Sequence, residues 1–190
     1  MVHVVQTEIT DEQLAAEAAR EGSDGPAFTE LVERHRLRVW RVCYRLMGNE
    51  EDANDAAQEV LVRLFLQRAR FEGRSKYATW MQSIAVNTCL ALRRRRGRRE
   101  RRETMAAQYE LQRHGHQSQH DAAQTLDLMQ MLETLDEEDR AMVIMKYAED
   151  YSYEELSSIF DRSVSACKMR ISRAREQLRQ HFPSEMGAPT

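Results

Sequence analysis

An all-α protein, built as two small helical domains joined by a flexible linker, is expected from three features of this sequence. Apolar residues recur at steps of three and four through most of the 190-residue chain, the period of one helix face. Only 7 Gly and 3 Pro punctuate it, while 42% of the residues are hydrophobic, which suits a folded chain poor in tight turns. A polar stretch without that period, from about Glu103 to Gln124, separates two periodic blocks and reads as a linker with some helical tendency. No strand pattern and no internal repeat is found.

The elements follow in order. "TDEQLAAEAAR" pairs an N-cap candidate, Thr10, with Gln13 three residues on, and "EGSDGP" ends that helix. From Pro26 a long helix places Phe28, Leu31, Val32, Val39, Val42, Cys43, Leu46 and Met47 on one face, and Gly48 stops it. Glu50 to Gln67 restarts the period with Ala53, Ala56, Ala57, Val60, Leu61, Leu64 and Phe65 inward. Asp52, Asp55, Gln58 and Glu59 then share the outward face. After the loop "RFEGRSKY" a third helix buries Met81, Ile84, Cys89 and Leu92 and runs into arginines. Beyond the linker, Leu126–Leu135 and Asp139–Ala148 read as short helices. Ser152 with Glu155 opens a helix ending near Phe160, "DRS" turns the chain, and Ser163 caps a last helix to about His181. The expected domains are 25–100 and 125–184, with an N-terminal extension 1–24, a linker 101–124 and a tail 185–190.

Charge narrows the function. Arg93 to Arg102 holds eight arginines and one acid, Glu100, a local charge of +7, so the rest of a chain whose formal charge is −3 carries −10. Nucleic-acid binding must therefore be local rather than a property of the whole field. No apolar run approaches the roughly 20 residues that span a bilayer, and "MVHVVQTEIT" lacks a signal-peptide layout, so a soluble cytoplasmic chain without membrane insertion is expected. Neither a nucleophile with base and orienter nor a phosphate-cradling glycine loop is found, which argues against an enzyme. Cys43, Cys89 and Cys167 lie far apart on apolar faces and read as small buried hydrophobes, with redox sensing as the alternative. His114, His116 and His120 sit in a polar linker that offers no rigid coordination shell, so no metal or other cofactor is expected.

Two places suit DNA. The C-terminal helix, short turn and capped helix have the layout of a helix-turn-helix, with Ser165, Lys168, Met169, Ser172 and Arg175 opposite the buried stripe and Arg170 and Arg173 on its flanks. Short polar side chains ringed by cations fit base-edge contacts framed by phosphate contacts; an ordinary surface helix is the bland alternative. In "KYATWMQSIAVNTCLALRRRRGRRERR", Tyr77 and Trp80, with Phe71 before them, precede the arginine run. Base faces stack on aromatics when bases are unpaired, so the pairing suggests melted DNA; Trp80 as a core residue is the competing view.

Taken together these motifs resemble the bacterial sigma factors of the extracytoplasmic-function (ECF) group, over about Phe28 to Phe182. "EDANDAAQEVLVRLF" is similar to the region 2 segment that binds the β′ clamp helices of RNA polymerase, which implies that role for Asp52, Asp55, Gln58 and Glu59. "RFEGRSKYATWMQSIAVNTCLALRRR" is similar to the segment that recognises and melts the −10 element. That resemblance assigns Gly73, Arg74, Ser75 and Lys76 to a specificity loop, Tyr77 and Trp80 to base capture, Asn87 to the −10 pocket, and Arg93, Arg94, Arg95 and Arg96 to duplex phosphates. "YSYEELSSIFDRSVSACKMRISRARE" is similar to the region 4 helix-turn-helix that reads the −35 element, implying Ser165, Lys168, Met169, Arg170, Ser172 and Arg173 as readers; Ser165, Ala166 and Cys167 replace the usual Gly-Thr-Val.

The resemblance implies a transcription initiation factor whose partners are core RNA polymerase, through the β′ clamp helices and the β flap, promoter DNA, and a separate anti-sigma factor. A free-standing dimeric helix-turn-helix regulator of duplex DNA is the alternative, and a pure interaction module whose basic run binds an acidic protein is a third class.

Overall fold

A computed structural model describes residues 9–21, 25–111 and 131–181 of the chain. Among these residues every regular element is helical: α1 Asp11–Ala18, α2 Pro26–Met47, α3 Glu50–Gln67, a 3-10 turn Arg68–Arg70, α4 Tyr77–Leu111, α5 Glu137–Tyr147, α6 Tyr153–Phe160 and α7 Val164–His181. No described helix is long and apolar enough to cross a membrane.

The ends of these helices follow from local chemistry. Thr10 and Gln13 form the expected capping box, with the Gln13 N–H donating to Thr10 Oγ1 at 3.2 Å and the Thr10 N–H to Gln13 Oε1 at 2.8 Å. Pro26 occupies the first turn of α2, and Gly48 closes it in the left-handed region at φ 86, its N–H reaching the Tyr44 carbonyl at 2.9 Å. Asn49 caps α3, whose first turn carries Glu50, Glu51 and Asp52 against the positive helix end.

Ser152 and Glu155 cap α6, and Asp161 takes the left-handed turn position at φ 51 that a short polar side chain tolerates. Helix α5 begins at Glu137, earlier than the sequence pattern suggests. Asp136 accepts hydrogen bonds from the Glu138 and Asp139 N–H groups, so three acids enter the first turn as helix residues. Helix α4 continues to Leu111, past the linker boundary expected at residue 100. Of the helix expected over Leu126–Leu135, the described part holds helical residues 131–133, and the rest of that segment lies outside the described residues.

Helices α2, α3 and α4 form the N-terminal bundle. Ala53 and Ala56 let α3 approach α2 closely, while Leu31, Val39, Val42, Cys43, Val60, Leu64, Met81, Ala85 and Cys89 fill the space between them. Helices α5, α6 and α7 form the C-terminal unit around Met142, Met145, Leu156, Ile159, Cys167, Ile171 and Leu178. The two sets of residues belong to one continuous core, because α5 and α6 pack on α2 and α4.

That junction explains a burial pattern that a single helix face does not predict. From Met81 to Leu90 only Ser83 and Asn87 escape burial, so α4 is covered on both sides. Helix α5 is likewise buried from Arg140 through Met145. The three cysteines are buried, Cys89 beside Cys43, and the Cys43 contact together with burial pushes the Cys89 thiol up; burial does the same to Cys167. Thiols held neutral in this way act as small hydrophobes.

Candidate polymerase and nucleic-acid interfaces

The acidic face of α3 is open to solvent and unequal along its length. Asp55 and Gln58 are exposed, while Glu59 accepts from Arg63 Nε at 2.8 Å one turn away. Asp52, by contrast, holds Asn49 Nδ2 at 2.6 Å and pairs with Arg96 of α4, which makes it a tie between two helices as well as a ridge residue.

Beside this ridge lies a patch the charge pattern did not disclose. Leu37 is 72% exposed, Trp40 stacks on the exposed Tyr44 with ring centroids 5.2 Å apart, and Trp40 Nε1 donates to Asn54 Oδ1 at 2.7 Å, next to Asp55. The spacing Leu37, Trp40, Tyr44 is a helical stripe of its own, and reading α2 for a second face would have found it. Val62 and Leu66 add exposed apolar area on α3.

The loop before α4 keeps its expected openness. Gly73 has φ 69 and nothing near the position of a Cβ, Arg74 pairs with Glu72 at 2.5 Å, Lys76 is exposed, and Ser75 is half-buried with its Oγ toward the Lys76 carbonyl. Tyr77 departs from expectation. Its side chain is 3% exposed, packed in an aromatic cluster 5.3 Å from Phe71, 5.6 Å from Trp80 and 6.0 Å from His35, and burial pushes its phenol up to about 12. Helix α1 is the cause. Glu12 Oε1 accepts the Tyr77 N–H at 3.1 Å, and Asp11 holds α1 in place through His35 at 2.6 Å and Arg34 at 3.1 Å. In this conformation Tyr77 is a core residue and no strand can stack on it; Trp80, half-buried at the edge of the same cluster, is the more accessible ring.

The arginine run also divides. Asn87 and Arg94 are exposed and, at steps of seven from Trp80, share one open stripe of α4. Arg95 and Arg96 flank a cleft lined by Glu51, Asp52 and Asp55. Arg93, expected to hold phosphate, donates to the Leu46 carbonyl at 3.1 Å and lies 3.6 Å from Glu137 of α5. Its side chain is 21% exposed, so it serves the protein's own packing in this state. Arg98 and Arg99, exposed and adjacent, extend the cationic surface beyond the expected four arginines.

On α7 the expected readers Ser165, Lys168, Met169, Ser172 and Arg173 are exposed, Met169 at 54%. Lys168 Nζ sits 5.4 Å from the Tyr153 ring centroid. Arg170 is the exception. It reaches Asp139 at 2.5 Å, Asp136 at 3.4 Å and Glu138 at 3.5 Å, so it braces α7 against the start of α5 instead of projecting outward. Among the described residues no group of His, Cys, Asp and Glu could hold a metal ion. His114, His116 and His120 lie outside the described residues.

Comparison with known proteins fits this geometry. A family profile described as Sigma-70 region 2 matches residues 31–99, and one described as Sigma-70, region 4 matches residues 125–178. The ECF RNA polymerase sigma factor SigE of Mycolicibacterium smegmatis is 36% identical over 83% of this chain, which spans 62% of that relative's length. SigW of Bacillus subtilis is 28% identical over 84% of this chain and 90% of its own length. Among solved structures, CnrH in complex with the cytosolic domain of CnrY shares the fold at a TM-score of 0.62, with 24% identity over 92% of this chain and 98% of that one. RpoE of Bartonella quintana, solved with the anti-sigma factor NepR, gives 0.59 with 22% identity over 83% of this chain and 98% of that one.

Proposed function

The chain belongs to the sigma-70 family, in its extracytoplasmic-function group, and from that premise we propose how its surfaces divide the work of starting transcription. As a promoter-recognising initiation factor it acts with RNA polymerase and promoter DNA. Asp55, Gln58 and Glu59, with the Leu37–Trp40–Tyr44 stripe beside them, receive the clamp helices of β′: carboxylates give register and the apolar strip gives area. The β flap takes the C-terminal unit. Trp80, Asn87 and Arg94 on α4, with the loop Gly73–Lys76, meet the −10 element, and Lys168, Met169, Ser172 and Arg173 on α7 meet the −35 element. A separate anti-sigma protein restrains the chain. No catalytic chemistry of its own is needed, because unstacking costs a few kcal/mol per step and polymerase binding supplies it.

The observation that carries this reading is the order of surfaces. An acidic-apolar dock, a cationic helix and a helix-turn-helix follow one another along the chain, each in its matched region. A free-standing dimeric regulator needs only the last of these and leaves the region 2 match unexplained. In vitro transcription with a bacterial core polymerase on a random promoter pool tests the proposal. Productive initiation should require both proteins, and D55R/E59R should abolish core binding while the C-terminal unit stays folded. Unchanged core affinity in D55R/E59R, or a shift of promoter duplex by the chain alone, would overturn it.

A further inference from the structure

The seam between the two helical units combines strong clamps with unmet polar groups, a pairing expected of a contact built to open. Three arginines spaced i, i+3 and i+7 on α2 receive the connection between α5 and α6. Arg41 Nη2 and Arg45 Nε reach the Glu149 carboxylate at 3.0 Å and 2.9 Å, and that side chain is 1% exposed. Arg38 lies 5.2 Å from the ring centroid of Tyr151, itself 2% exposed. Asp150 between them adopts the left-handed conformation at φ 55, which turns both neighbours toward α2. One helix further, Arg93 meets Glu137.

Among the described residues, the buried side-chain polar atoms without a hydrogen bond are Arg38 Nε, Gln82 Nε2 and Oε1, Arg93 Nε, Glu137 Oε2 and Tyr151 Oη. Arg38, Arg93, Glu137 and Tyr151 all touch across the seam. Gln82 lies on the stripe of α4 that runs through Val86 and Leu90 to Arg93, turned away from Met81, which faces Leu31, Val39 and Leu64. A permanent core satisfies nearly all its buried polar groups. Among the described residues these atoms gather along one surface, where Arg38 and Tyr151 interact with each other side chain to side chain, so the unmet groups there are chiefly those of Gln82, Arg93 and Glu137.

We infer that the α5–α6 connection, seated on Arg38, Arg41 and Arg45, is an intramolecular latch that holds the chain in a closed state, with α6 against α4, and that core polymerase captures the molecule once the latch releases. The functional half of the inference rests on the sigma reading above. Geometry makes the closed state unable to serve two promoter elements. A compact chain of this length has a radius of gyration of about 16 Å, whereas two helical turns of B-DNA span about 70 Å. The helix-turn-helix is packed through α6 onto the helix that would read the nearer element, so the two readers cannot separate until the seam parts. Glu149 makes the latch specific: its burial requires a cation at both Arg41 and Arg45, and removing them strands a carboxylate that solvent then has to reach.

The test uses the full chain. In R41A/R45A, X-ray scattering should show a larger radius of gyration. Amide exchange across Gln82–Leu90 should accelerate on the order of tenfold, and affinity for a bacterial core RNA polymerase should rise by a similar factor, because the binding-competent fraction is no longer scarce. E149A should open the molecule less, since the arginines it leaves behind sit near water. The charge-swapped R41E/R45E/E149R should return all three readings toward wild type, which also separates the latch from any folding defect. Unchanged radius and exchange in R41A/R45A would overturn the latch, and an opened molecule that binds core no tighter would overturn its regulatory role. Wild-type protein that never binds core while the latch behaves as described would sink the sigma reading and leave the latch standing.

Discussion

Replacing Gln82 with methionine should stabilise the folded protein. Gln82 is 0% exposed, and neither its carbonyl oxygen nor its amide nitrogen has a hydrogen-bond partner. Burying an unsatisfied polar group costs about 1–3 kcal/mol. Methionine has nearly the same length and volume, so the change removes two such atoms with little repacking. Allowing for partial relaxation around the amide, the gain should be about 2 kcal/mol, which for a chain of this size raises Tm by about 4–8 °C. Urea unfolding should show a higher midpoint at unchanged slope. Because the benefit exists only while the two units are joined, the same variant should favour the closed state by a factor of about 30 and lower its apparent affinity for core polymerase. A lower midpoint in Q82M would refute the reasoning, since it would mean that the amide holds a partner whose loss outweighs the gain.

Arg140, 9% exposed, donates to the carbonyls of Leu132, Glu133 and Leu135 at 2.8, 3.3 and 3.4 Å; the Leu132 carbonyl keeps the Leu135 N–H at 3.2 Å, so R140M should take the side-chain donor from the other two and cost about 2 kcal/mol in urea unfolding. Tyr77 makes the fold sensitive to alkali. Its phenol is pushed from 10.0 to about 12 by burial, so the unfolded chain releases its proton first and stability falls as pH rises through that window, by about 3 kcal/mol at its upper end. Y77F should lack that component when the two proteins are compared by unfolding across the window. E12A removes the acceptor of the Tyr77 N–H and should cost about 1 kcal/mol, with increased exchange of the first turn of α4. On a promoter complex, R94A and R173A should each lower the salt slope of binding by about one, whereas R170A should act mainly through thermal stability.

Legibility from the sequence tracked whether a residue's role is set within its own helix. Capping at Thr10 and Ser152 involves neighbours three residues apart, and the arrest at Gly48 needs only its own backbone, so pattern reading reached them. The helix-turn-helix was legible for the same reason, as was the exposure of Ser165, Lys168, Met169, Ser172 and Arg173. Arg93, Arg96 and Arg170 were not, because an arginine's partner is chosen by tertiary packing: Glu137, Asp52 and Asp139 lie far away in sequence. Tyr77 was assigned to DNA from its position in a motif, yet Glu12 and the Asp11–His35 pair, contributed by the separate helix α1, close over it. The width of the apolar face of α4 in "MQSIAVNTCL", broken only along the Asn87 stripe, did carry a signal. A helix whose apolar face is wider than one packing partner can cover has two neighbours, and the second neighbour here is the other half of the chain.

The acidity of the chain takes a different meaning from these partners. A net charge of −3 looks like a diffuse field that repels DNA, but at the distances involved a uniform field would be screened within about 8 Å at physiological salt. The carboxylates instead sit against the cations expected to bind phosphate: Asp52 on Arg96, Glu137 on Arg93, and Asp136, Glu138 and Asp139 on Arg170. Contacts of about 3 Å are barely affected by screening, so phosphate must displace a preformed partner at each of these positions before it gains anything. Arg94 and Arg173, on open stripes, would meet DNA without that exchange on the proposed reading. On the sigma reading proposed above, local competition of this kind would keep the free protein from binding DNA. Under the proposed latch, parting of the seam would release the competition at Arg93, since Glu137 departs with α5; the motion that would separate α7 from α4 would then also free a cation on α4.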